Sequence, residues 1–79
     1  MNSVRRARIR DAIEQIYAAG AAVGRIADEE EAAYKNLPDS IEHSAYANSS
    51  REAVAALKEA FDNLAKAAKV LNRVTECLG

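Results

Sequence analysis

Residue types that can do chemistry are few in this chain and widely separated. The single histidine, His43, directly follows Glu42, so the two side chains would point to different faces of a helix, unlike the Glu-x-x-His spacing of di-iron bundles. The single cysteine, Cys77, is near the other end of a hairpin from His43, which argues against a Cys/His nucleophile pair. Glu30 could share a metal with a symmetry mate, but pairing with a lysine or arginine is the simpler role. We therefore expect no catalysis, no cofactor and no metal site.

The stretch around the only proline, Pro38, is the most unusual part of the sequence. It combines tyrosines, a lysine and several hydroxyl or amide groups, and tyrosine at this density in a loop is typical of binding surfaces. The alternative is that Tyr34, Leu37 and Ile41 close the end of a bundle while the polar residues cap helices. The predicted ligand- or partner-binding residues are Tyr34, Lys35, Asn36, Asp39, Ser40 and Ser44.

A basic cluster opens the chain, where the positive end of a helix dipole makes cations unfavourable. Its members are Arg5, Arg6, Arg8 and Arg10. In an antiparallel hairpin this cluster would lie beside the C-terminal end of the second helix, with Lys66, Lys69 and Arg73, where the cations solvate the terminus and offset its dipole. The alternative is an anion site for a phosphate, a nucleotide or an acidic partner. The net charge of −1 argues against a general attraction to nucleic acid or anionic lipid.

Hydrophobic spacing predicts a first helix over about residues 4–36. Apolar or small residues recur at alternating intervals of four and three, which is the 3.5-residue seam of packed helices. The seam positions are Ile9, Ile13, Ile16, Gly20, Val23, Ala27, Glu30, Tyr34 and Leu37. Four more residues widen the stripe toward a second neighbour: Ala12, Ala19, Ile26 and Ala33.

Proline disfavours helix at the residue before it, so Pro38 predicts the end of the first helix. Asp39 and Glu42 have the spacing of a capping box, which predicts a short helical turn from Asp39 to about Tyr46. Residues 47–50, Ala-Asn-Ser-Ser, predict a second break, with Ser49 and Glu52 as another capping box. The second long helix is then expected over about residues 50–78, with its seam at Val54, Leu57, Phe61, Leu64, Ala68, Leu71, Val74 or Thr75, and Leu78.

These elements predict an all-α fold with one domain over residues 1–79, in which two long antiparallel helices form a hairpin. Alanine supplies much of the 49% hydrophobic content, and small side chains bury little area. We therefore expect the hairpin to form a homo-oligomer, such as a four-helix bundle. Gly20 and Gly24 form a G-x-x-x-G pair that predicts the close approach of another backbone, or else a tolerated flexible point.

The chain shows no feature of a membrane or secreted protein. No window holds enough uncharged apolar residues for a transmembrane helix, and the basic start of the chain lacks the apolar region of a signal peptide. A lone cysteine also fits a reducing compartment. We expect a soluble, cytoplasmic protein.

The segment Asn36-Leu37-Pro38-Asp39-Ser40-Ile41, followed by Ser44, resembles a motif of small helical-hairpin proteins from phages and integrative elements of Gram-positive bacteria. In these proteins an acidic first helix ends in Asn-(Ile/Leu)-Pro-(Glu/Asp)-Ser-(Leu/Ile), and an Ala/Leu-rich second helix follows. The resemblance implies a mobile-element origin rather than a mechanism.

Together with this origin, the tyrosine-flanked connector and the basic cluster predict a phage or mobile-element accessory protein that acts by stoichiometric binding, such as an antagonist of host defence. It would sequester a nucleotide signal or block a host effector protein. Two alternatives stay open: a nucleic-acid-associated accessory protein that uses the basic cluster, and a structural bundle whose only partner is itself.

Overall fold

A computed structural model describes residues 2–41 and 44–77. Helix α1 spans Ser3–Lys35 and helix α2 spans Ala45–Cys77, and a single 3₁₀ turn, Asp39–Ile41, lies between them. The predicted all-α hairpin of two long helices with a short connector is thereby confirmed. Each helix has 33 residues, so each is roughly 50 Å long.

The two helices run antiparallel over most of their length. Near the connector Tyr34 contacts Arg51, and further along Gly24 contacts Phe61, so the residue number on α2 rises as that on α1 falls. The result is a rod of 60 × 15 × 13 Å with a radius of gyration of 17.8 Å. A compact domain of this length would have a radius of about 12 Å, so the hairpin exposes an unusually large surface for its mass.

Local hydrogen bonds explain where each helix begins and ends. Asn2 caps α1, because its side-chain oxygen accepts a hydrogen bond from the backbone N–H of Arg5 at 2.8 Å. At the other end, the backbone N–H of Asn36 donates to the carbonyl oxygens of Ala32 and Ala33 at 3.2 and 3.3 Å. Pro38 follows, and α1 ends one residue before the predicted boundary.

Helix α2 begins five residues earlier than predicted. Ser44 is its cap: the Oγ accepts a hydrogen bond from the backbone N–H of Ala47 at 3.2 Å and donates to the carbonyl of Ile41 at 2.7 Å. The predicted break at residues 47–50 is wrong, since these residues are helical, and Ser49 is not a cap. The predicted turn is shorter than expected, and Glu42, the other half of its capping box, lies outside the described residues, as does His43.

The seam of α1 is confirmed in position. Each of its nine residues is buried or half-buried, with Ile13, Gly20 and Ala27 the most enclosed. The expected widening of the stripe is wrong within a single hairpin: of its four residues only Ala12 is half-buried, and Ile26 is 50% exposed. The helix therefore buries a narrow strip and leaves its flanks in water.

The core between the helices is made of small side chains. Ala47 and Ala68 are fully buried on α2, and Ile13 and Ala27 are the buried apolar side chains on α1. Phe61, predicted as a seam residue, is 43% exposed. Because small residues bury little apolar area, the core of one hairpin gives only modest stability.

Candidate functional site

Tyr34 lies at the tip of the hairpin under the side chain of Arg51. The Nη1 of Arg51 donates to the Tyr34 hydroxyl at 3.3 Å, and the guanidinium carbon lies 5.8 Å from the ring centroid, within the range of a cation–π contact. The other guanidinium nitrogen donates to the side-chain oxygen of Asn48. Arg51 was not predicted as a site residue, although the predicted second helix over about residues 50–78 included it.

Lys35 is part of an ion-pair cluster that joins the two helices. Its Nζ lies 3.4 Å from a carboxylate oxygen of Glu31, and the Nζ of Lys58 lies 3.1 Å from the other oxygen. The hydrogen bonds from Lys58 and then Lys35 hold the pKa of Glu31 below its usual range. The charge of Lys35 is thus partly offset within the chain, which weakens its expected role in binding an anion.

The remaining predicted connector residues do not all converge on one cleft. Tyr34, Lys35 and Asp39 line a cleft of about 180 Å³ together with Leu37. Asn36 instead caps the C-terminal end of α1, as the alternative interpretation expected, and Ser44 caps α2, which was not predicted. Ser40 is exposed within the 3₁₀ turn. Ligand pockets usually exceed about 300 Å³, so this cleft is small for a nucleotide.

A hydrogen bond joins the two helices one turn of α1 before Tyr34, between the buried Ser50 and the half-buried Glu30. The hydroxyl of Ser50, which is 4% exposed, donates to a carboxylate oxygen of Glu30 at 2.6 Å. Glu30 occupies a seam position, and a serine on the facing helix satisfies it. The sequence predicted a lysine or arginine partner because the residues around Ser50 were assigned to a break rather than to a helix face.

At the opposite end of the molecule, Arg5 and Arg8 line a cleft of about 340 Å³ with Ile9 and Ala12. Arg10 is exposed, whereas Arg6 is half-buried. The expected neighbours on α2 are all exposed: Lys66, Lys69 and Arg73. Extending the Gly24–Phe61 register puts Arg73 level with Ala12, but Lys66 level with Ala19, roughly 16 Å along the rod from Arg8. The basic residues therefore form a stripe rather than one compact cluster.

A concave surface in the middle of the hairpin was not predicted as a site. We call it the central groove. It has a volume of about 570 Å³ and is lined by Ala21, Gly24, Arg25, Ala27, Asp28, Lys58, Phe61 and Asp62. A second, apolar cleft shares Ala21 and Phe61 with it and extends it along the rod past Tyr17, Gly20 and Leu64.

Gly24 explains how the groove is built. A Cβ at this position would lie 3.4 and 3.5 Å from two atoms of the Phe61 ring, so the ring packs directly against the glycine. At Gly20, by contrast, a Cβ would meet nothing within 4 Å. Within this chain the G-x-x-x-G pair therefore accommodates a phenylalanine ring at one glycine and leaves open space at the other, and the predicted approach of another backbone is not made by α2.

Two further observations apply to residues 2–41 and 44–77. No group of three or more His, Cys, Asp or Glu side chains in this part of the chain is arranged to hold a metal ion. Neither described helix has a stretch long and apolar enough to cross a membrane.

No protein-family model, curated protein or solved structure matches the chain. A functional assignment therefore depends on the geometry of the three surfaces described above: the polar tip, the basic stripe and the central groove.

Proposed function

We propose that this protein acts by stoichiometric binding, without catalysis, and that its working form is an assembly of hairpins. The observation that carries the proposal is the large total accessible surface of the single hairpin. The chain exposes 5741 Å², whereas a compact monomer of 8.5 kDa would expose roughly 4,700 Å². The difference of about 1,000 Å² resembles the area that one partner buries in a standard protein interface.

The exposed large apolar residues extend along the whole rod rather than at one point. They are Val4, Tyr17, Ile26, Tyr46, Phe61 and Val70. Single exposed apolar residues are ordinary, but Tyr17 and Phe61 border one continuous concavity, as a binding surface would.

The role we propose for the assembly is that of a phage or mobile-element accessory protein that antagonises host defence, in line with the resemblance of residues 36–41 and Ser44. It would block a host effector protein or sequester a nucleotide signal. Because the tip cleft of about 180 Å³ is small for a nucleotide, blocking of a host effector protein is the role that the geometry favours. We place the assembly in the cytoplasm, where its single cysteine stays reduced.

Native mass spectrometry of the purified chain tests the assembly and reports any co-purified small molecule. We expect a dimer or a larger species at micromolar concentration. A monomer at every concentration would contradict the proposal. A panel of cyclic nucleotides in a thermal-shift assay then tests sequestration, and the absence of a shift with any of them would leave only the protein-blocking role.

A second candidate function follows from the cleft between Arg5 and Arg8, which two cations line at the basic end. Binding of nucleic acid there should weaken steeply as salt rises, because counterions are released from the phosphates. Simultaneous replacement of Arg5, Arg6 and Arg8 by alanine should abolish it. Unchanged retention of an oligonucleotide by that triple variant would exclude this function.

A further inference from the structure

The charged residues around the central groove alternate in sign. On α1 Arg25 is followed one turn later by Asp28, and on α2 Lys58 is followed by Asp62, and all four line the same groove. The two charges on α1 are centred between residues 26 and 27, and the two charges on α2 are centred on residue 60. The Gly24–Phe61 contact sets these midpoints level to within roughly 2 Å along the rod. The groove therefore presents a square of charges in which every neighbour has the opposite sign, and one of the four, Lys58, also forms an ion pair with Glu31 of its own chain at 3.1 Å.

Such a square is complementary to itself. A two-fold axis that lies in the plane of the interface and runs across the helices reverses the order of charges along each helix. Arg25 then faces Asp28 of the second copy, and Lys58 faces Asp62 of the second copy, on both sides of the axis. The Phe61 ring, 43% exposed, lies within about two residues of the same level and would be covered by the pairing.

We propose that the central groove binds a second copy of this chain in antiparallel orientation, with Arg25–Asp28 and Lys58–Asp62 pairs around Phe61. This inference rests on the proposed assembly of hairpins and identifies the surface that forms it. The exposed area supports a partner as large as another hairpin, since the excess of about 1,000 Å² exceeds the roughly 800 Å² that each side of a stable interface buries.

The ends of the rod favour the antiparallel orientation over a parallel one. Three consecutive glutamates, residues 29–31, lie toward the tip, whereas Arg5, Arg8 and Arg10 lie at the opposite end. Because the axis lies at the level of residues 26–27, the basic end of an antiparallel copy extends past the acidic tip of the other chain, and like charges are kept apart. A parallel copy would bring like charges together at both ends, which is unfavourable.

Charge reversal on α1 tests the pairing. In Asp28→Arg the α1 helices of the two copies would face each other with cations only, and we expect the dissociation constant of the dimer to rise at least about tenfold. The double change Arg25→Asp/Asp28→Arg restores opposite signs in the antiparallel order and should return the constant to near the wild-type value. Asp11→Arg is the matched control, because it makes the same aspartate-to-arginine change at an exposed position of the same helix that does not line the groove.

Sedimentation equilibrium gives the dissociation constants, and circular dichroism checks that each variant keeps its helix content. If the wild-type chain dimerises and Asp28→Arg dimerises equally well, the groove is not the interface, although the proposed assembly would stand. If Asp28→Arg is monomeric and the double change does not restore the dimer, the antiparallel order is wrong. A wild-type chain that is monomeric throughout overturns the proposed function as well.

Discussion

The tip of the hairpin and its middle hold the two helices together by different chemistry. Near the connector, side chains cross between the helices through hydrogen bonds and ion pairs: Ser50 to Glu30, Arg51 to Tyr34 and Lys58 to Glu31. In the middle, the Phe61 ring packs on Gly24 beside an open groove. Directional polar contacts fix how α1 and α2 are aligned, and non-directional apolar contacts leave surface free for a further neighbour.

Acidic residues in the two regions also have different roles. Glu31 at the tip is tied to two lysines of its own chain, so its charge serves the hairpin. Asp28 lies one turn away and lines the groove, where its charge is directed outward. Contacts at the tip therefore set the register of α1 against α2, while the middle of the hairpin is suited to contacts between chains.

The largest expected effect is a loss of stability when a charge is placed in the apolar contact between α1 and α2. Ala68 is fully buried against α1, so Ala68→Glu places an unpartnered charge in the interface at a cost of about 3–5 kcal/mol. That cost equals the stability that a core of this size supplies, so we expect the chain to lose its helical signal in circular dichroism at room temperature.

Ala67→Glu is the matched control for this prediction, because the same side chain is introduced at the exposed neighbouring alanine. It should leave the melting curve nearly unchanged. Equal loss of helix in both variants would mean that burial at Ala68 does not govern the stability of the hairpin.

The next effect tests the polar tip. Ser50→Ala removes the hydroxyl that donates to Glu30 and leaves a half-buried carboxylate without this partner, at a cost of about 1–2 kcal/mol. Urea denaturation measures the change in the free energy of unfolding. Ser49→Ala, at the exposed neighbouring position, is the control and should cost much less. Similar costs for the two serines would show that the Ser50–Glu30 hydrogen bond does not strengthen the tip.

The tip is also where the sequence was least informative. Heptad spacing correctly gave the buried and half-buried positions of α1, because that pattern is a direct consequence of helix packing. The predicted start of α2 was wrong because Asn48, Ser49 and Ser50 are residue types that favour turns and caps. Ala47 and Ser50 in fact continue the 3.5-residue spacing of Val54 and Leu57 toward the N-terminus. The signal was present, but local preferences were given more weight than the seam.

The central groove could not be predicted from spacing alone. Phe61 lies on the seam, and nothing in its position indicates that Gly24 would pack against its ring and leave it partly exposed. The four charges around the groove belong to two helices, and their alternation becomes visible only when the register of α1 against α2 is known. Sequence reasoning gives positions along each helix, whereas a concave surface requires the relation between the helices.

A smaller effect on stability should distinguish Gly20 from Gly24, the two glycines of α1. In Gly20→Ala the new Cβ meets nothing within 4 Å, so the gain in helix propensity of about 0.5–1 kcal/mol should appear as higher stability. In Gly24→Ala the Cβ would lie 3.4 and 3.5 Å from two atoms of the Phe61 ring, which is ordinary van der Waals contact, so the gain should be larger than at Gly20. Thermal unfolding at a concentration below assembly measures both. Equal stabilisation by the two changes would argue against the packing of Phe61 on Gly24.

The smallest expected effect is the pH dependence that Glu31 contributes. The lysines hold its pKa below the usual range in the folded chain, and unfolding removes them, so the unfolded chain binds a proton more readily. The resulting stabilisation is present above the ordinary pKa of a glutamate and is lost as the pH falls through the lowered value. Glu31→Gln should therefore flatten the acid limb of a plot of melting temperature against pH. Glu29→Gln, which changes an exposed glutamate of the same helix, is the control. If it flattens the acid limb equally, the ion pairs of Glu31 do not stabilise the tip more than an ordinary surface glutamate does.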